Sequence, residues 1–370
     1  MLDEQRMISA IHLSMNCTVR TSPNPRVGCI IYHPTSVDSP PIAQGISSPS
    51  GGEHAEVIAL HEAGTDANGA HLYVTLEPCA HHGRTPPCVD AIIASGISKV
   101  FIGTSDPNPL VAGRGVKKLQ DAGIEVMIGV CKEDCDLLHA PFKKWITEGI
   151  PWVSLKGAMT LDGCLSTATG HSKWITGKVA RTHVHQLRAS VDAILIGAET
   201  ARRDRPQLNV RLVNGQDPRP VILSRMLLIP NDLPCIHSGA ILVHGKGTPK
   251  ERRQFFLDKG CELIEVPFNE ANDGLCIKAT LKALGQLDIT HVLVEGGGKI
   301  HGEFIDQKLA DDLHLYIAPK IIGRGKPLFN LPSVAEIPQG ITLQSTSTQR
   351  LGDDIYLYGR MSSLPIVPSE

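Results

Sequence analysis

Apolar residues recur at helical spacing at the start of the chain: Met7, Ile8, Ile11 and Met15 fall on one face of a helix over residues 3–16. The loop Thr21-Ser22-Pro23-Asn24-Pro25 follows, and the apolar run from Val27 to Tyr32 predicts a strand. Residues 33–41 hold Pro34, Pro40 and Pro41 and read as a turn. Beyond it the pattern alternates. It predicts a helix over 53–63 ending at Gly64, a strand over 71–76, a helix over 87–94 closed by Gly96 and a strand over 100–103. A helix over 115–122, a strand over 125–128 and one long helix over 133–147 complete the first half. In the second half strands are expected at 152–158, 192–197, 220–224, 240–244, 262–266, 290–295 and 312–318, and the tail over 341–360 reads as a hairpin. Strands alternating with helices define an α/β layered protein. The pattern restarts after Gly149-Ile150-Pro151, so two domains are expected, 1–148 and 149–370. The last ten residues, MSSLPIVPSE, read as disordered.

Composition narrows the partners more than the fold. The 370 residues carry a formal net charge of -2, so no basic surplus argues for wrapping a nucleic acid, and none is expected as a partner. The N-terminus opens with acids instead of a basic stretch leading into an apolar core, which argues against a signal peptide. No apolar run is long enough to span a bilayer, so no membrane association is expected. Ten cysteines in so long a chain do not suggest a disulfide scaffold, and a cytoplasmic setting with reduced thiols is the expectation. Aromatic residues are only 4%, so the cores must be built from Ile, Leu, Val and Ala.

The candidate chemistry is concentrated in GGEHAEVIAL and TLEPCAHHGRTPPC. His54, Cys79 and Cys88 supply one imidazole and two thiolates, which leaves the fourth position of a tetrahedral zinc open, as in catalytic sites. Glu56, two residues after His54, supplies a carboxylate outside the ligand set. The order H-x-E then P-C is that of zinc deaminases, in which the metal acidifies a water and the Glu moves its protons. The second cysteine, however, comes after eight intervening residues, where the usual motif has two. The competing readings are that the cysteines are simple core residues, or that His81 or His82 is a ligand.

The segments TSPNPRVGCII, HAEVIAL, YVTLEPCAHHGRTPPC and DPNPLVAGRG closely resemble the bifunctional riboflavin-biosynthesis proteins of bacteria. The similarity continues through LKGAMTLDG, SKWITG, ARTHVHQLRASVDAILIGAET, VLVEGGGKIHGEFI and LHLYIAPKIIG, and so covers nearly the whole chain. It accounts for the long loop before T-P-P-C. It implies a cytidine-deaminase-like three-layer domain followed by a dihydrofolate-reductase-like α/β domain. The implied substrate is a small pyrimidine ribonucleotide, 2,5-diamino-6-ribosylamino-4(3H)-pyrimidinone 5′-phosphate. Zn²⁺ would serve its deamination and NADPH the reduction of its ribosyl group to ribityl. A homodimer or homotetramer is the implied assembly.

The resemblance also implies site residues. Asn24, Asp106 and Asn108 would meet substrate in the deaminase half, although Asn-Pro and Asp-Pro are also turn formers. In the reductase half NADPH would meet Ala158, Trp174, Thr200, Asp204 and Ser224, together with the turn Gly297-Gly298 and the helix start Lys299-Ile300-His301-Gly302-Glu303. Substrate would meet Ser172, Arg188, Leu208, Arg211 and Glu295. Arg188 and Arg211 suit a phosphate because guanidinium binds it bidentately; on the residues alone they read as surface arginines, and Trp174 as a core aromatic. The glycine run is not G-x-G-x-x-G, so a Rossmann domain is not expected.

Three positions depart from the family pattern: Ser47 in place of a His, Arg205 in place of an Asp, and Cys164 in place of a Lys. The alternatives to a bifunctional enzyme are a deaminase with a degenerate C-terminal domain, a nucleic-acid base deaminase, and a zinc-stabilised scaffold that has no use for Glu56.

Overall fold

The computed structural model describes residues 2–17, 19–34, 40–81, 86–108, 113–270 and 274–361, and element counts refer to these. Residues 362–370 of the tail expected to be disordered, and 35–39 of the expected turn, lie outside the described residues. The chain divides into two compact units, Met1–Ile150 and Pro151–Glu370.

The first unit runs α1 (Leu2–Met15), β1 (Gly28–Tyr32), β2 (Ala43–Ile46), α2 (Ala55–Ala63), β3 (His71–Leu76), α3 (Cys88–Ala94), β4 (Lys99–Thr104), α4 (Arg114–Asp121), β5 (Glu125–Ile128), α5 (Lys132–Leu138) and α6 (Ala140–Glu148). Among the described residues its sheet has the order β2-β1-β3-β4-β5. The pairs β1–β2 and β1–β3 are antiparallel, and β3, β4 and β5 run parallel. Strand alternation assigns the faces. Leu72, Val74 and Leu76 pack with Ala55 and Ala59 of α2, Val89 and Ile92 of α3 and Leu119 of α4. Tyr73 and Phe101 point the other way, against Met7 and Ala10 of α1 and Cys135 of α5. Helices on both faces make this an α/β/α three-layer unit. Each fully buried apolar side chain contributes about 1.5–3 kcal/mol through its removal from water.

Two elements differ from expectation. The single helix expected over 133–147 is broken at His139 into α5 and α6. Pro141 lacks an N–H for the carbonyl of Leu137 and its ring collides with that turn, so the chain restarts with Pro141 in the first turn of α6. Strand β2 was not expected. It is four residues long and contains Gly45, where a Cβ would come within 2.8 Å of the Ala59 backbone nitrogen. The glycine lets α2 lie directly on the strand.

The second unit runs β6 (Trp152–Thr160), β7 (Cys164–Thr167), α7 (Lys178–Ala189), β8 (Ala193–Gly197), α8 (Ala198–Asp204), β9 (Arg219–Leu223), β10 (Ile241–Gly245), α9 (Lys250–Asp258), β11 (Glu262–Val266), α10 (Ile277–Gln286), β12 (His291–Val294), α11 (Gly298–Asp306), β13 (Asp312–Ala318), β14 (Gly325–Pro327), β15 (Leu343–Leu351) and β16 (Asp354–Met361). Its main sheet has nine described strands in the order β11-β10-β9-β8-β12-β6-β13-β16-β15. From β11 through β13 the neighbours are parallel; β16 and β15 close the edge as an antiparallel hairpin. The short β7–β14 pair was not expected. Because the central strands are parallel, β6, β8, β9 and β12 all end on one side, and the turns that follow them meet there. Among the described residues no helix is long and apolar enough to cross a membrane.

Candidate active sites

In the first unit the candidate metal donors converge at helix starts. His54 is the N-cap of α2 and Cys88 opens α3 behind Pro87. Cys79 lies in the loop after β3. The donor atoms of His54, Cys79 and Cys88 all lie within 4.8 Å of one another. His54 Nδ1 is 2.9 Å from Cys88 Sγ and 3.6 Å from Cys79 Sγ, and the sulfurs are 3.3 Å apart. Ligands of a tetrahedral zinc at ordinary Zn–N and Zn–S lengths stand roughly 3.5–3.8 Å apart, so the set is close to ready for the ion. Its chemistry, one imidazole and two thiols, fits zinc. The Cys88 N–H donates to Cys79 Sγ at 3.3 Å. Hydrogen bonding from the Cys88 thiol, reinforced by His54, holds Cys79 down at about 4, in the thiolate form a metal needs. His81 is exposed and outside this cluster, and His82 lies outside the described residues.

Glu56, in the first turn of α2, is buried, and that burial raises its pKa against the opposing pull of His54. A carboxyl beside the donor set that holds a proton more tightly than usual is suited to taking and returning protons.

The structure brings Asp106 to the C-terminal end of β4 through a residue that the sequence reading passed over. Glu77 is buried, and its carboxylate accepts from the N–H groups of Asp106 (3.3 Å), Gly113 (3.2 Å) and Val116 (3.5 Å). It ties the loop carrying Asp106 and Asn108 to the strand end two residues before Cys79. The available signal was a charged residue ending an apolar strand. Asp106 Oδ1 accepts from the Asn108 N–H at 2.8 Å, so that turn is self-bonded. Asn24 sits in a turn in which its N–H donates to Thr21 O and the Thr21 hydroxyl donates to Asn24 O, each at 3.0 Å. Ser47, at the position where the family carries a His, accepts from the Val27 N–H at 3.0 Å and serves the strand pairing.

In the second unit a cavity of about 1020 Å³ opens where the parallel strands end. That is at the top of the range for ligand pockets, roughly 300–1,000 Å³. Ala158 of β6, Thr200 and Asp204 of α8, and Ser224 after β9 line it. So do Gly297, Gly298, Lys299, Ile300, His301 and Glu303 around the start of α11. Gly297 is the N-cap of α11, and a Cβ there would meet only Thr200 Oγ1, at 3.8 Å. The bare backbone therefore leaves the helix N-terminus open to an anionic group such as a pyrophosphate. This cradle and the cavity's size fit a dinucleotide. Of the expected substrate contacts, Ser172, Arg188, Leu208 and Glu295 line the same cavity.

Three expected residues are not among its lining. Gly302 packs on the Asn330 backbone, where a Cβ would come within 2.9 Å of the carbonyl carbon. Trp174 is 62% exposed, with the Arg181 guanidinium 4.5 Å over its ring, so it is not a core aromatic. Arg211 is exposed and donates to Asn209 Oδ1 at 3.0 Å. Arg188, by contrast, is no surface arginine. It grips Glu295 with two hydrogen bonds of 2.7 and 2.8 Å, both side chains only 11% exposed. Burial alone would push Glu295 up, but Arg188 outweighs it and holds the carboxyl at about 2.

The departures Arg205 and Cys164 both lie off the cavity lining. Arg205 pairs with Asp232 at 2.8 Å on the surface, and buried Cys164 faces the Gly323 carbonyl at 3.5 Å. The sequence reading missed Lys156, which lines the cavity from β6 beside Ala158. Burial lowers its pKa, with Glu295 pulling it back up and Arg188 pushing it down.

Fold and site together define the class: a zinc-deaminase-type unit joined in one chain to a dinucleotide-reductase-type unit. Residues 1–104 match the model of the cytidine and deoxycytidylate deaminase zinc-binding region, and 151–357 that of the RibD C-terminal domain. The riboflavin biosynthesis protein RibD of Aquifex aeolicus is 38% identical over 361 residues, covering 96% of this chain and 98% of its own. That of Escherichia coli is 34% identical over 374 residues, covering 97% and 99%. The structure of Acinetobacter baumannii RibD superposes with a TM-score of 0.86 at 36% identity, covering 98% of this chain and 99% of that one. The chain belongs to the RibD family.

Proposed function

We infer that the chain is a bifunctional enzyme of riboflavin synthesis, deaminating a diaminopyrimidine ribonucleotide phosphate and then reducing its ribosyl group to ribityl. The observation that carries the reading is the convergence of His54, Cys79 and Cys88 beside a buried, proton-retaining Glu56. The deamination consumes a water and releases ammonia. Zn²⁺, held by those three side chains, supplies the acidity that makes a water nucleophilic near neutral pH. Glu56 moves the water's two protons in turn, the first to the ring nitrogen and the second to the departing amine, which leaves as ammonia. Asn24, Asp106 and Asn108 orient the nucleotide.

In the second unit NADPH supplies a hydride. The Gly297-Gly298 turn and the start of α11 would hold its pyrophosphate, and Ala158, Thr200, Asp204 and Ser224 would line the rest of its site. Trp174, exposed and outside the lining, would meet the cofactor only as an aromatic surface, and Gly302 contributes by letting α11 seat against Asn330. Arg188, locked by Glu295, offers its remaining donors to the substrate, with Ser172 and Leu208 beside it and Arg211 outside the cavity as the phosphate contact. Lys156, a half-buried amine on the cavity wall near the Arg188–Glu295 pair, is placed to give the proton that must accompany the hydride. The setting is cytoplasmic and the assembly a homo-oligomer.

The test is Glu56→Gln. We expect deamination to fall by at least about a hundredfold with zinc content and reduction of the deaminated nucleotide retained. Wild-type deamination in that variant would remove Glu56 from the chemistry.

A further inference from the structure

NADPH differs from NADH only by a phosphate on the adenosine 2′-oxygen, so a reductase that distinguishes them needs a cation at that point. The glycine turn and α11 fix where the pyrophosphate goes. Strand β9 lies two strands away from β12 in the sheet order, about 10 Å at the usual strand spacing. That displacement is of the order of the span from the pyrophosphate to the 2′-phosphate of the adjoining ribose. At the end of β9, on the cavity wall, stand Ser224 and Arg225.

Arg225 is built to present its charge. Its carbonyl accepts from the Gly245 N–H at 2.8 Å and from the Thr248 hydroxyl at 3.3 Å, which pins the backbone. Its guanidinium lies 4.5 Å over the ring of Phe268. Phe268 is itself seated against Gly245, where a Cβ would come within 2.5 Å of the ring's Cζ. The stacking fixes the plane of the guanidinium, and among the described residues its N–H fork has no hydrogen-bond or ion-pair partner. Of the two cavity arginines on α8, Arg202 already donates to the Leu228 carbonyl at 2.7 Å, and Arg203 lies against Gly170, where a Cβ would come within 2.6 Å of its Cζ.

We propose that Arg225, stacked on Phe268 beside Ser224, is the residue that recognises the 2′-phosphate of NADPH and sets the preference for NADPH over NADH. This rests on reading the cavity as a dinucleotide site and adds which end of the dinucleotide lies at β9.

The experiment is calorimetric titration of the full-length chain with NADPH, NADH and 2′,5′-ADP, in the wild type, Arg225→Gln and Arg225→Lys. The wild type should prefer NADPH and bind 2′,5′-ADP. In Arg225→Gln the affinities for NADPH and 2′,5′-ADP should fall by about ten- to a hundredfold, as expected for losing a charge-assisted phosphate contact. Arg225→Lys should recover part of that. NADH binding in the same samples reports an intact cavity. A wild-type preference for NADPH in Arg225→Gln, equal loss of NADH and NADPH, or no preference in the wild type would each overturn the assignment. A wild type that binds none of the three would overturn the dinucleotide reading itself.

Discussion

The Arg188–Glu295 pair offers the sharpest energetic test of the second unit. Replacing Glu295 by Gln strands a guanidinium whose side chain is 11% exposed. The pair holds Glu295 at about 2 against an ordinary 4.5. Each tenfold change in acid strength is worth about 1.4 kcal/mol, so the net preference for the ionised form is about 3 kcal/mol. Breaking a buried pair from one side costs about 3–5 kcal/mol, which agrees. Because the folded pKa is depressed, this stabilisation is complete above pH 4.5 and disappears as the pH falls through about 2. Denaturant unfolding at pH 7, followed by a probe in the second unit, should show Glu295→Gln destabilised by about 3 kcal/mol. The double variant Arg188→Met/Glu295→Leu should recover most of that, because no charge is left buried. Deaminase activity of each variant serves as a control for the first unit. A loss under about 1 kcal/mol, or a double variant less stable than both singles, would refute the argument.

Two further outcomes are expected in the first unit. Glu77→Gln replaces one of the two oxygens that accept from three backbone donors by an amide N–H₂, which faces a donor, and so loosens the loop carrying Asp106 and Asn108. Steady-state kinetics should show KM for the pyrimidine nucleotide rising about tenfold with kcat less affected and zinc content constant; an unaltered KM contradicts the clamp. His139 is buried neutral, its pKa pushed down to about 3 by burial and then by Lys143, with its Nε2 3.1 Å from Thr75 Oγ1. Below pH 6.5 the unfolded chain binds a proton that the folded one refuses, so stability falls with pH from about 6.5 toward 3. Between pH 7 and 5 this amounts to about 2 kcal/mol, and His139→Gln should lose correspondingly less over that interval. Equal pH sensitivity in variant and wild type would show that His139 is not the source.

What the sequence revealed was local. His54 and Cys88 are legible because each sits at a helix start, a place sequence marks with prolines, glycines and the onset of apolar spacing. Glu56 follows from its distance of two residues. The parallel strands of both units are readable as apolar runs bounded by turns. Partnerships across the chain were not legible. Arg188 and Glu295 are 107 positions apart, and nothing near either residue says that they neutralise each other. Glu77 gains its role only when Gly113 and Val116 fold back over it. Lys156 looks like any lysine in an apolar strand until the sheet sets it on the cavity wall. Pro141 was a visible break, but the apolar spacing on both sides of it suggested one helix where the proline enforces two. The departures at Arg205 and Cys164 drew attention in the sequence, yet the fold turns both away from the cavity.

The central claim is that one chain carries out two consecutive reactions. The direct measurement supplies the zinc-loaded enzyme with the diaminopyrimidine ribonucleotide phosphate and follows ammonia release and NADPH oxidation together, with and without NADPH. The account predicts ammonia release in both cases, and NADPH oxidation that follows it and matches it mole for mole. Ammonia without NADPH oxidation, or NADPH oxidation without prior ammonia release, would contradict it.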